Sequence, residues 1–176
     1  AIPGMTVISP ADCGETAKAI LEGSKHSGPV YIRLTGGTNN PIVYEEDYNF
    51  QIGKAIQLIK GNDISIIATG TMVHASLEAA KILSQQGISA SVIDMHTIKP
   101  MDTSIIRKIS KKSELIFTVE EHSIVGGLGS AVAEYISTIS QSPPLCMIGL
   151  PDEYGKGGEY KDLLNSYGLT PTKIAN

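Results

Sequence analysis

Short runs rich in β-branched residues alternate along this chain with longer stretches whose apolar positions recur every three or four residues. The runs MTVIS (5–9) and PVYIRL (29–34) predict strands, with a helix between them over 10–26. Asp12 is placed to cap that helix, and Glu15 follows three residues later, the spacing of a capping box. Ala17, Ile20 and Leu21 give the helix an apolar stripe. A stretch rich in Gly, Asn, acids and Pro, 35–49, reads as a linker. The pattern then restarts. Strands are predicted within 53–61, 63–71, 88–95, 114–122 and 144–151, and helices over 72–87, 102–113, 129–140 and 160–168. Gly87 ends the first of these helices, and Asp102 or Thr103 caps the second. The continuous apolar runs in DISIIATGT and ISASVIDM mark buried parallel strands.

Strands separated by helices imply βαβ units. Residues 47–176 are therefore expected to form a three-layer α/β domain around a mainly parallel sheet. Residues 1–46 offer only strand, helix, strand and linker. Two strands and one helix cannot bury both faces of a sheet, so this segment reads as the tail of a second domain. The chain begins without Met one step before a strand, which suggests a fragment.

Composition narrows the function classes. The net charge is −4 with no basic block, which argues against a nucleic-acid partner. No apolar run is long enough for a membrane-spanning helix, and no signal-peptide pattern is present. Cys13 and Cys146 match no metal or redox spacing, so two free thiols in a reducing cytoplasm are expected, with no metal site.

The candidate chemistry gathers at the carboxyl ends of predicted strands, where open α/β sheets place ligands. Gly126, Gly127 and Gly129 sit between a strand and a helix. Such a turn either offers free N–H groups to an anion or only packs helix close to strand. The spacing lacks the third glycine of the dinucleotide fingerprint, which favours the structural turn. Glu120, Glu121 and His122 end the same strand. They form an acid/base cluster, half a metal site, or a polar edge between subunits. Neighbouring strand residues face opposite ways, so the two glutamates cannot share one site while the strand continues. His96 ends another strand, with Asp94 two residues before it. An imidazole oriented by that carboxylate could donate to a substrate oxygen, or it is a satisfied structural histidine. His26 and His74 lie near helix ends and read as surface or capping residues. Arg33 precedes the linker, and a strand arginine usually meets a carboxylate or a phosphate. No nucleophile triad and no phosphate-binding loop is visible. The residues by themselves define an α/β domain with a ligand or interface edge.

PGMTVISPAD, GPVYIRL, IIATGTMVHASLEAAKIL, ISASVIDMHTIKPMD, FTVEEHSIVGGLGSAVAEY and IGLPDEYG occur in this order. Together they resemble the C-terminal section of transketolase, most of all the split form in which two shorter subunits replace one long chain. The resemblance spans nearly the whole chain. Deoxyxylulose-phosphate synthase and the β subunits of 2-oxo-acid dehydrogenases share these domains. MHTIKPMD and EEHSIVGG are more similar to split transketolase than to either.

The resemblance implies transfer of a two-carbon ketol unit from a ketose to an aldose. It implies thiamine diphosphate and Mg²⁺ in the full assembly, an N-terminal transketolase subunit as partner, and homodimerisation through the third domain. Residues 1–46 would be the tail of the pyrimidine-binding domain. The family's activating glutamate and diphosphate motif match no position here, so the chain alone is expected to be inactive and to bind no cofactor. Family members carry a phosphate-binding arginine near the position of Gly36, where this chain reads RLTGG. That departure puts phosphosugar specificity in question, with Arg33 three residues earlier. His96 stands where synthase relatives carry a substrate-side arginine, which makes it the candidate substrate contact. Glu121, His122, Gly126, Gly127 and Gly129 are expected in an interface or a structural turn. Other readings stay open: a non-catalytic assembly or regulatory module of the same fold, and the β section of a 2-oxo-acid dehydrogenase or a deoxyxylulose-phosphate synthase relative.

Overall fold

The computed structural model describes residues 2–35 and 40–176. Five strands form the main sheet: β3 (Ile56–Ile59), β4 (Ile64–Ala68), β5 (Ala90–Asp94), β7 (Leu115–Ser123) and β8 (Leu145–Leu150). Their spatial order is β3-β5-β4-β7-β8, and only β3 runs antiparallel to its neighbour. The mainly parallel sheet expected from the alternating pattern is present.

Side chains of adjacent strand residues feed opposite layers. Ile66 and Val92 pack with Val73, Ala79 and Leu83 of helix α2 (Met72–Gln85) and with Ile174 of the short α6 (Pro171–Ile174). Ile67, Ile93 and Ile116 pack on the other face with Ile106 and Ile109 of α3 (Thr103–Ile109) and with Leu128 and Val132 of α4 (Leu128–Ile136). Each fully buried isoleucine contributes about 2 kcal/mol of apolar transfer energy, so the two layers are what hold the sheet. Helix α5 (Tyr160–Ser166) follows β8.

The earlier part of the chain gives β1 (Thr6–Ile8), α1 (Cys13–Lys25) and β2 (Val30–Ile32), with β1 and β2 parallel. The third strand of this sheet, β6 (Thr97–Lys99), comes from beyond β5 and pairs antiparallel with β1. No strand was expected there. Only three residues pair, and the proline and charged residues around them give no alternating pattern.

Asp12 caps α1 as expected, accepting the Glu15 amide at 2.8 Å. Glu15 reaches back to the Ala11 amide at 2.7 Å, one residue before the cap. The predicted apolar stripe of α1 does not face a core: Ile20 is 51 % exposed and Leu21 61 % exposed, while Ala19 is fully buried. The stretch read as a linker is more than a tether. Val43 and Tyr44 amides donate to Asp12, and the rings of Tyr44 and Tyr48 stack at 3.9 Å over the start of α1. Phe50, Ile8 and Ala19 close a third small core beneath them.

Candidate functional site

The chain order creates a crevice. From β4 it passes through α2 to β5 on one side, and later returns through β7 on the other side of β4. The loops after β4 and β7 thus leave toward helices on opposite faces, the topology that opens a cleft at the carboxyl ends of the strands. A cavity of about 560 Å³ lies there, lined by Arg33, Thr69, Lys99, Glu120, Glu121, His122, Gly126 and Gly127 among others. A hollow of about 660 Å³ at the opposite edge of the sheet is lined by Ile59, Lys81, Ser84 and neighbours, with no acid and no histidine. Size alone would favour the latter; the chemistry favours the former.

Six residues singled out in the sequence, Arg33, Glu120, Glu121, His122, Gly126 and Gly127, therefore meet around one cavity. Arg33 does not pair with a carboxylate. Its Nη2 donates to the backbone carbonyl of Glu121 at 2.7 Å, tying the end of β2 to the end of β7. His122 is exposed, with Nδ1 2.9 Å from the Ser123 carbonyl.

The two glutamates diverge as strand geometry requires. Glu121 Oε2 accepts hydroxyls from Thr71 and Tyr160, each at 2.7 Å, joining β7 to the start of α2 and to α5. Burial and that carboxylate push the Tyr160 phenol up to about 12, so it stays a donor. Glu120 turns inward and is 1 % exposed. Its two oxygens accept the Leu128 and Gly129 amides, each at 2.7 Å. Burial raises its pKa, while those amide donors pull it down. The anion site that the glycine-rich turn creates at the start of α4 is thus filled by the chain's own carboxylate.

The glycines serve close approach. A Cβ on Gly127 would lie 2.0 Å from Glu120 Oε2, and one on Gly129 2.7 Å from Met147 Sδ. Gly126 has φ +78°, a left-handed conformation that favours glycine.

His96 is elsewhere. It is fully buried, its ring stacks on Phe50 at 4.2 Å, and Nδ1 lies 2.9 Å from Thr97 Oγ1. It has no exposed surface in this structure, so a substrate contact would require it to be uncovered. Nor does Asp94 orient it. Asp94 Oδ2 instead accepts the Tyr44 hydroxyl at 2.6 Å. Nothing in the sequence separates a core histidine from a contact histidine at the end of a strand.

Burial lowers the His96 pKa from 6.5 to about 4. The unfolded chain then binds this proton at higher pH than the folded one, so its contribution is lost as pH falls from about 6.5 toward 4, by up to about 3 kcal/mol. His96→Gln should remove that acid limb from the urea midpoint measured against pH. An unchanged acid limb would mean that His96 is protonated in the folded chain.

Among the described residues no group of three or more His, Cys, Asp and Glu side chains is placed to hold a metal ion. With the α4 amides already occupied by Glu120, the described residues do not fit a diphosphate–Mg²⁺ site. No helix among them is long and apolar enough to cross a membrane. Cys13 and Cys146 are both exposed and unpaired.

The fold and the cavity define a parallel-sheet α/β domain with a polar cavity at its switch point, joined through β6 to the small sheet of β1 and β2. Comparison with known proteins narrows this class. The family model for the transketolase C-terminal domain matches residues 53–174. A transketolase C-terminal section from Methanocaldococcus jannaschii is 44 % identical over 177 aligned positions, covering 99 % of this chain and 55 % of that protein. One of the subunits of an apulose-4-phosphate transketolase from Phocaeicola vulgatus is 41 % identical, covering 95 % of this chain and 53 % of that one. A solved split-gene transketolase, described as an inactive tetramer of beta chains, superposes with a TM-score of 0.90 at 37 % identity, over 99 % of this chain and 56 % of that chain. This chain belongs to the transketolase family, in its C-terminal section. It spans about half the length of the curated relatives it matches.

Proposed function

We propose that this chain is the carboxyl-terminal part of the C-terminal subunit of a split transketolase-type enzyme, which moves a two-carbon ketol unit from a ketose to an aldose. In this reading residues 1–46 close a pyrimidine-binding domain and 47–176 form the third domain. Thiamine diphosphate and Mg²⁺ are held by a separate N-terminal subunit and by the part of the C-terminal subunit that precedes these residues. The enzyme works in the cytoplasm.

The observation that carries the reading is the uncovered apolar surface of the first segment. Ile20, Leu21, Tyr31, Leu34 and Ile42 are all more than half exposed. A helix and strand edge of this kind calls for a further layer, and the rest of a pyrimidine-binding domain would supply it. The relatives' extra length supports the same view. The solved relative's inactivity as a tetramer of beta chains supports an isolated chain that self-associates without turning over. Glu121, His122 and the α4 turn would serve the edge where subunits or substrate meet the domain, with Arg33 the cation bound to that edge through the Glu121 carbonyl. A phosphorylated sugar is the substrate we favour, because the similar Phocaeicola subunit belongs to an enzyme that acts on apulose 4-phosphate. The position expected to carry the phosphate-binding arginine, Gly36, lies outside the described residues.

The test reconstitutes the full-length C-terminal subunit with its N-terminal partner, thiamine diphosphate and Mg²⁺, and follows ketol transfer from phosphorylated and unphosphorylated ketoses. Turnover with the full-length pair, and none when the 176-residue chain replaces the full-length C-terminal subunit, is the expected result. No turnover from the full-length pair with any ketose would overturn the assignment.

A further inference from the structure

Asp94 and Glu15 come from opposite ends of the chain's architecture, one at the end of β5 and the other in the first turn of α1. Both are fully buried. Glu15 accepts on both oxygens and keeps room for a further donor: Oε2 takes the Ala11 amide at 2.7 Å and Oε1 takes the Tyr48 hydroxyl at 2.9 Å. Asp94 Oδ2 takes the Tyr44 hydroxyl at 2.6 Å. Asp94 Oδ1 is buried without a hydrogen-bond partner, and the stacked rings of Tyr44 and Tyr48 carry the hydroxyls that bind Asp94 and Glu15, so the two carboxyls are neighbours. Two neighbouring carboxylates out of water strongly disfavour ionising together without a cation. Lys18, one turn along α1, is the cation to consider. Its ammonium is bound to Asp47 and to the Tyr48 carbonyl, and it lies 4.9 Å over the Tyr48 ring, so it serves the strap and not the pair.

We propose that Asp94 and Glu15 hold one proton between them, carried on Asp94 Oδ1 and donated to Glu15, and that this proton locks the strap of residues 43–48 and helix α1 onto the main domain. The lock opens as pH rises.

The surrounding groups all act in this direction. Asp12, beside Glu15 on α1, adds negative charge; its own oxygens accept the Glu15, Val43 and Tyr44 amides. From the strap, Tyr44 and Tyr48 are pushed well above their ordinary pKa by burial and by the nearby carboxylates, so both remain donors. From the segment after β5, His96 is held neutral by burial and supplies no charge. Burial raises Glu15 and raises Asp94 well above an ordinary carboxyl. The sign follows. The unfolded chain sheds both protons near pH 4, while the folded chain keeps one. The pair's contribution is full below that pH and falls as pH rises toward the folded value, increasing the unfolding constant about tenfold per pH unit for one proton.

The experiment uses the 176-residue chain and its Asp94→Asn variant, whose amide donates to Glu15 at any pH. Urea unfolding between about pH 7 and pH 9, above the range in which His96 titrates, is combined with infrared detection of a protonated carboxylic C=O and with hydrogen exchange at Val43 and Tyr44. The wild-type chain should show the carboxylic band at pH 6, a one-proton loss of stability with rising pH, and matching loss of protection at the two strap amides. Asp94→Asn should lose the band and flatten both dependences. Glu15→Gln should do the same, and the wild-type band stands by itself if either variant fails to fold. A wild-type chain without the band at pH 6, or an Asp94→Asn chain that keeps the one-proton slope, would overturn the proposal.

Discussion

Glu120→Ala is expected to destabilise the chain by about 3 kcal/mol, read as a lower urea midpoint at unchanged m-value. The substitution leaves the Leu128 and Gly129 amides buried without an acceptor at the start of α4. It also removes the negative charge that complements the helix N-terminus. Glu120→Gln keeps one acceptor and should fall between the two. Gly127 is coupled to the same carboxylate, because its missing Cβ makes the space that Glu120 Oε2 fills. Gly127→Ala should therefore cost less in the Glu120→Ala background than in the wild type, although the Ser123 carbonyl, 2.7 Å from the added carbon, keeps part of the penalty. A Glu120→Ala midpoint indistinguishable from wild type would mean that water from the adjacent cavity satisfies the two amides.

Gly61→Ala should be as damaging for a different reason. Gly61 follows β3, the antiparallel edge strand, and passes directly against the start of β5. An added Cβ would lie 2.3 Å from the Ala90 carbonyl carbon and 2.4 Å from the Ser91 nitrogen. These are backbone atoms of a strand buried on both sides, so they cannot rotate away as a side-chain tip can. Relief requires β3 to lift from β5. A loss of about 3 kcal/mol is expected, the upper part of the range for overpacking, with hydrogen-exchange protection falling first in 56–59. Full wild-type stability would show that the crossing is looser than the structure places it.

How far the sequence reached depends on which signals were periodic. The buried strands β4, β5 and β7 and helix α2 repeat apolar residues over enough positions to declare both their type and their faces. Strand β6 pairs over only three residues, and the N-terminal strand it joins is nearly 90 positions away, so no local pattern announces it. The apolar stripe of α1 was legible, but not what it faces: Ile20 and Leu21 point away from the three cores. Residues 40–48 read as a linker because polar composition is a statement about solvent, and Tyr44 and Tyr48 use their hydroxyls in the interior. The candidate site was half visible. Strand alternation anticipated that Glu120 and Glu121 find different hydrogen-bond partners, although both line the cavity. That Glu120 itself fills the helix start depends on a side chain folding back eight residues, which spacing does not encode. Asp94 and His96 looked like partners because they are near in sequence, whereas Asp94 meets Tyr44 from 50 residues away.

Strand β6 carries one further consequence. The small sheet takes two strands from before the strap and one from the segment that follows β5 of the main sheet. A cut in the chain between the two stretches would leave the pieces paired through β1 and β6, through Arg33 on the Glu121 carbonyl, and through the tyrosines over Asp94 and Glu15. Evolution could exchange neither piece alone without rewriting strand edge, carbonyl contact and acid cluster together. The two stretches are therefore one heritable unit, and a recombination point that preserves function belongs upstream of β1.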